Sequence, residues 1–182
     1  MKNQNLYLKK LILTAVMAAI AVACSPLSIP VGASKCFPVQ HLVNILTAVF
    51  LGPWYALAQA FTASLCRNLM GTGTLLAFPG SMIGAFLSGI LYKWLKKLPF
   101  AYIGELVGTG LLGGMTAFLV ATLAMGKEAA LFTYVPAFFI SCAGGTLLAV
   151  LLVPALKKAG VERFFGQDVQ PKEQNDHAQP TD

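Results

Sequence analysis

Three observations predict an all-α integral membrane protein, a compact bundle of six transmembrane helices with both termini in the cytoplasm. Hydrophobic residues make up 57% of the chain and charged residues 11%, against about 25% charged in soluble domains. Long apolar runs separate the few charges, which keeps ions out of hydrocarbon, where each costs roughly 2.5 to 3.5 kcal/mol on insertion scales. Lys and Arg gather in alternate loops. The net charge of +6 therefore lies beside the spans rather than on one face of a soluble scaffold, which argues against a nucleic-acid partner.

Taken in order, Lys9 and Lys10 precede the apolar run from Leu11 to Cys24. The pattern is shared with signal peptides, and Ala21-Val22-Ala23-Cys24 loosely resembles a lipoprotein cleavage site. A cleaved leader normally releases a soluble domain, yet the chain beyond Cys24 is mostly further apolar spans, so the run is read as the first span. Ser25 to Pro38 holds Pro26, Pro30, Gly32 and Pro38 and is not a regular helix; it reads as an outside loop long enough to act as a lid. Cys36 to Cys66 contains no Lys, Arg, Asp or Glu and is long for one helix; Gly52-Pro53 breaks it into two short ones. Leu75 to Trp94, Tyr102 to Met125 and Leu131 to Leu156 complete the six. Residues 1–165 thus form one domain, and the polar segment 166–182, which includes His177, is expected to be a disordered cytoplasmic tail.

Charge placement tests the count. With six spans and the N-terminus inside, Lys2, Lys9, Lys10, Lys93, Lys96, Lys97, Lys157, Lys158, Arg163 and Lys172 are cytoplasmic, and Lys35, Arg67 and Lys127 are outside. Keeping Cys36 to Cys66 as a single span would move most of the cations outside, against the positive-inside rule. Small residues recur four apart in most spans: Ala15, Ala19 and Ala23; Gly80, Gly84 and Ser88; Gly104 and Gly108; Gly110 and Gly114; Ser141 and Gly145. Such stripes let backbones approach closely, so the bundle is tight.

Chemistry is sparse. No phosphate-binding G-x-x-x-x-G-K-[ST] loop occurs, so the chain does not hydrolyse ATP by that route. Cys24, Cys36, Cys66 and Cys142 show no metal or redox spacing; no cofactor, metal or catalytic residue is expected. The one acid inside a span, Glu105, is expected in the first turn of the fifth helix at the inner interface, pairing with Lys96 or Lys97, and so remote from His41.

The outer ends are richer. Gln40, His41 and Asn44 open the second span on one helical face; Arg67 and Asn68 close the third; Thr72 and Thr74 precede the fourth; Tyr134 opens the sixth. Singly, each has a structural explanation: an interfacial histidine, an interhelical amide, an arginine reaching lipid headgroups, an aromatic belt. Together they fit a small-molecule pocket, with Phe37, Phe78, Phe138 and, less well placed, Trp54 as aromatic walls.

The runs Lys35-Cys36-Phe37-Pro38-Val39-Gln40-His41-Leu42-Val43-Asn44, Leu51-Gly52-Pro53 and Arg67-Asn68-Leu69-Met70-Gly71-Thr72-Gly73-Thr74-Leu75-Leu76-Ala77-Phe78-Pro79-Gly80 resemble the ThiW family of substrate-binding S-components of energy-coupling factor (ECF) transporters. The resemblance spans Leu11 to Leu156. It implies a six-helix subunit that binds a vitamin precursor, for this subgroup hydroxyethyl-thiazole, beneath its first loop, and that docks on a transmembrane coupling protein carrying two ATPase subunits. An A-x-x-x-A motif on the first helix makes that contact in S-components, and Ala15, Ala19 and Ala23 match it in two overlapping registers. A neutral thiazole requires no cation, so Arg67 is either structural or meets a negatively charged substrate. The competing class, a self-sufficient secondary transporter, would show repeated halves and ionisable groups within the membrane.

Overall fold

Apolar segments with few charges satisfy their backbones most readily as helices packed on helices, and this is the architecture of the computed structural model, which describes residues 2–31 and 34–165. In order the elements are α1 (Lys2–Ala23), a hairpin of β1 (Ile29–Val31) and β2 (Ser34–Cys36), α2 (Pro38–Phe50), α3 (Pro53–Leu69), α4 (Ala77–Leu95), α5 (Leu98–Ala124), α6 (Val135–Lys158) and a short 3-10 turn, Val161–Phe165. The hairpin pairs Ile29 with Cys36 and Pro30 with Lys35, so the loop expected to be non-helical carries a small antiparallel ladder. The expected tail, 166–182, lies outside the described residues.

Local sequence sets the boundaries. Gly52 adopts φ 102°, closed to most side chains, and Pro53 opens α3 in a first turn that needs no amide donor. The expected division at Gly52-Pro53 is therefore where the chain turns. Lys96 ends α4 in a left-handed conformation, and Pro99 sits in the first turn of α5. That helix consequently starts at Leu98, before the expected Tyr102, while α6 starts at Val135 rather than Leu131, with Pro136 in its first turn. Within α5, Leu106–Gly113 and Val120–Ala124 are wound as π-helix.

Gln4–Ala23, Leu98–Ala124 and Val135–Lys158 are long and apolar enough to cross a membrane, and Pro38–Phe50 is a shorter apolar helix. The expected span from Leu75 to Trp94 corresponds to α4, which is not among the three; Gly80, Ser81, Gly84, Ser88 and Gly89 dilute its hydropathy while serving as packing positions. Gly108 of α5 meets Gly84 so closely that an added Cβ would lie 2.6 Å from the Gly84 Cα, and one at Gly104 would lie 2.6 Å from the Ser88 Cα. The small-residue stripes of α4, α5 and α6 thus mark helix contacts, as their spacing predicts, whereas Ala15, Ala19 and Ala23 of α1 are exposed.

The helix at the centre is α2, with ten of its 13 residues buried. Around its lower half Ile45, Val49 and Phe50 pack with Ala149 and Val153 of α6 and with Phe165, whose ring stacks on Phe50 at 4.9 Å. At that same end Lys157 bonds the Tyr92 hydroxyl and Glu162. Elsewhere large polar side chains are buried and large apolar ones face outward: Arg67, Gln59, Asn44 and Glu105 are buried beside small apolar clusters, while Phe139, Ile140, Leu147 and Leu151 of α6 are exposed. Water would penalise that surface by roughly 25 cal/mol per Å²; lipid does not.

Candidate functional site

The signature after α3 is a folded turn. Gly71 takes φ 71°, and the amides of Thr72 and Gly73 both donate to the Arg67 carbonyl at 2.9 Å, joined by the Thr72 hydroxyl at 3.3 Å. The Asn68 side chain donates to the carbonyls of Ser64 and Thr74. Asn68 and Thr72 therefore build the turn, and Thr74 emerges from it at the wall of a cavity. The backbone folds back so tightly that a Cβ on Gly73 would lie 3.1 Å from the Arg67 Cβ.

That cavity opens beneath the hairpin. Gln40, His41, Arg67 and Thr74 line it, as do Phe37 and Phe138. Lys35, Ser81 and Ser141, which the sequence did not single out, complete its polar wall. Asn44 lies one turn deeper, wholly buried. Tyr134 packs instead in a cluster around Leu76, Ala117 and Ala121. Of the other aromatic candidates, Phe78 packs on Phe61, and Trp54 on Phe86 near Gly52 at the opposite end.

Beneath the cavity runs a continuous polar network. Arg67 Nη1 donates to Gln40 Oε1 at 3.2 Å, Gln40 Nε2 to Asn44 Oδ1 at 3.4 Å, and Asn44 Nδ2 to Glu105 Oε1 at 3.0 Å and to the Ser81 carbonyl. Glu105 Oε1 also accepts from Thr109 at 3.0 Å and from His41 Nδ1 at 2.8 Å. With the Nδ1 proton directed at the carboxylate, a neutral His41 accepts at Nε2 from the Ser141 hydroxyl, 3.1 Å away, and that hydroxyl in turn accepts the Phe37 amide at 2.7 Å. Cys36 adds a thiol bond to the Ala137 carbonyl at 3.4 Å. Burial pushes the Cys36 thiol up, partly offset by a hydrogen bond with Ser141, so it stays a protonated donor.

This geometry corrects the expectation for Glu105. It does not sit at the inner end beside Lys96 or Lys97; it is fully buried and bonded to His41. Two features move it. Starting at Leu98, α5 carries Glu105 two turns in, about 10 Å, and α2, at about 20 Å long, begins well below the outer ends of its longer neighbours. The two side chains thus meet at the same depth. A signal was present: Glu105 lies between Gly104 and Gly108, on the stripe where α5 touches α4, and an acid on such a stripe is buried and needs donors. Ser141, on its own small-residue stripe, could have been found likewise.

Carboxylate, imidazole and hydroxyl in that order also occur in nucleophilic triads. Here the hydroxyl is held by the Phe37 amide, and the chain of bonds fastens the segment after the hairpin to α2, α5 and α6. A mostly helical bundle with an apolar surface and one end hollowed into a polar and aromatic cavity has the features of a membrane protein that binds a small molecule. More narrowly, the model of the family described as thiamine-precursor transporter protein (ThiW) matches residues 11–159. The chain belongs to the ThiW family, whose members are transporters and not enzymes. No curated protein and no solved structure matches it.

Proposed function

We propose that the chain is the substrate-binding S-component of an ECF-type importer in the cell membrane. It takes hydroxyethyl-thiazole into the cavity beneath the hairpin and depends on a transmembrane coupling protein and two ATPases for energy. The cavity carries the reading. It combines two aromatic rings, Phe37 and Phe138, with the hydrogen-bonding groups of Gln40, His41, Thr74 and Ser141, the mixture that a small heterocycle with one hydroxyl requires. In this reading all six helices span the bilayer, both termini are cytoplasmic, and Lys35 and Arg67 lie at the outer side.

The partner face is α1. Thr14, Ala18 and Ala21 pack inward, whereas Ala15, Ala19 and Ala23 are exposed together with Ile12, Val16 and Ile20. A face that is small and apolar permits close docking of another helix.

The buried His41–Glu105 pair favours a second reading, a self-sufficient transporter that couples to protons, because ionisable pairs inside a bundle mark such relays. One experiment separates them. The purified chain in proteoliposomes is tested for binding and for uptake of radiolabelled hydroxyethyl-thiazole, with and without a proton gradient and with no other protein present. Binding without uptake supports the S-component. Gradient-driven uptake by the chain alone overturns it.

A further inference from the structure

The cavity is cationic without compensation. Lys35 and Arg67 both line it, and no Asp or Glu does. Lys35 is exposed at the mouth, but Arg67 is 1% exposed. Among the described residues its guanidinium forms no salt bridge; the ion pairs there are His41–Glu105 and Lys157–Glu162. One nitrogen, Nη1, reaches Gln40, and one face lies 3.6 Å from the centre of the Phe37 ring. Nε and Nη2 are buried with no hydrogen-bond partner.

A buried cation is retained when something pairs with it. Glu105 does not, because it is reached from Arg67 only through Gln40 and Asn44. The free edge of the guanidinium, Nε with Nη2, is the two-pronged donor that matches a carboxylate or phosphate. Phe37 fixes the plane of that fork, and the tight turn at Gly73 fixes its stem.

Resting on the transport reading above, we propose that the cavity selects a small aromatic ring bearing an oxyanion, a phosphate monoester or a carboxylate, with Arg67 as the specificity-determining residue and Lys35 assisting at the mouth. The thiazole then enters in an anionic form, and a cationic ligand such as thiamine, with its thiazolium, is excluded by like charge.

The test is calorimetry on the purified full chain with four probes: hydroxyethyl-thiazole, its phosphate monoester, the corresponding thiazole carboxylate, and inorganic phosphate. The expected result is at least tenfold tighter binding of one ring-bearing anion than of the alcohol. Arg67→Gln should erase that preference while leaving binding of the alcohol measurable, and Lys35→Gln, at an exposed position, should reduce the preference without risk to folding. Which anion wins distinguishes phosphate from carboxylate, and equal binding of inorganic phosphate would show that the ring is dispensable. Alcohol binding as tight as either anion, or an anion preference unchanged in both variants, overturns the proposal. Failure of every thiazole, with inorganic phosphate still bound in an Arg67-dependent manner, would remove the thiazole assignment and leave the oxyanion site standing.

Discussion

His41 Nδ1 lies 2.8 Å from Glu105 Oε1, across 64 residues of sequence, and this bond ties the first turns of α2 to the interior of α5. Around it the polar groups are mutually dependent. The carboxylate orients His41, His41 orients Ser141, and Ser141 receives the amide of Phe37 at the base of the hairpin. A change at the floor of the cavity is therefore transmitted to the base of the hairpin through four hydrogen-bonded groups.

Removing the acceptor should destabilise the bundle. In Glu105→Leu the His41 Nδ1 proton loses its partner, whereas Asn44 and Thr109 keep the carbonyls of Ser81 and Gly80. A buried unsatisfied donor costs about 1 to 3 kcal/mol, and a chain of this size loses roughly 2 to 4 °C of Tm per kcal/mol. Glu105→Gln retains an acceptor oxygen and should be the milder change. Thermal unfolding of the three proteins in one detergent checks the order, and a Leu variant as stable as wild type contradicts the network.

Asn44 joins the Arg67–Gln40 half of the network to the Glu105–His41 half, so its loss should be felt in the cavity above. Asn44→Ala is expected to weaken hydroxyethyl-thiazole binding about tenfold, equivalent to about 1.4 kcal/mol. Titration calorimetry measures it. Unchanged affinity would mean that the two halves are independent.

The α4–α5 seam makes a packing prediction. Gly108→Ala would bring a Cβ within 2.6 Å of the Gly84 Cα and 3.0 Å of the Gly84 amide nitrogen, both backbone atoms that do not swing aside. Overpacking of this kind costs about 1 to 3 kcal/mol. By contrast Gly126, at φ 61° with open space around it, should tolerate Asn. Comparison of the two melting curves tests whether close approach, rather than glycine content, holds the seam.

Much of this was legible in the sequence because it depends on local chemistry. Gly52-Pro53 fixes a turn wherever it occurs, and Gln40, His41, Arg67 and Thr74 reach the cavity because each sits at or just beyond a helix end. What escaped was depth. Apolar runs do not show that α5 begins at Leu98 or that α2 starts below its neighbours, and those offsets decide that Glu105 meets His41. Asn68, Thr72 and Tyr134 are polar and lie at or near helix ends, but a turn needs donors for its carbonyls as much as a ligand does, and sequence does not separate the two uses.

The proposed six-span arrangement predicts sidedness. In a chain whose native cysteines are replaced, a cysteine at position 35 should react with a membrane-impermeant maleimide added to intact cells, and one at position 97 should react only after lysis. Lys35 is in β2 and Lys97 in the α4–α5 connection, at opposite ends of the bundle. Labelling of position 97 alone in intact cells would invert the protein and carry the cavity to the cytoplasmic side.

The exposed face of α1 makes the partner prediction. Ala19 belongs to both registers of the Ala15, Ala19 and Ala23 stripe, is exposed and does not line the cavity. A leucine there has nothing within the chain to collide with, since Thr14, Ala18 and Ala21 make the inward contacts. Against a docked helix it would hold the two backbones apart and forfeit the close van der Waals contact that a small-residue face provides. Ala19→Leu is therefore expected to leave the Tm and hydroxyethyl-thiazole affinity of the isolated chain at wild-type values while lowering its recovery with the coupling protein and ATPases in a tagged pull-down. Ala18→Leu, on the inward face, should do the reverse and lower the Tm of the isolated chain. Equal recovery of Ala19→Leu and wild type would assign this face to lipid and require the partner surface to lie elsewhere on the bundle.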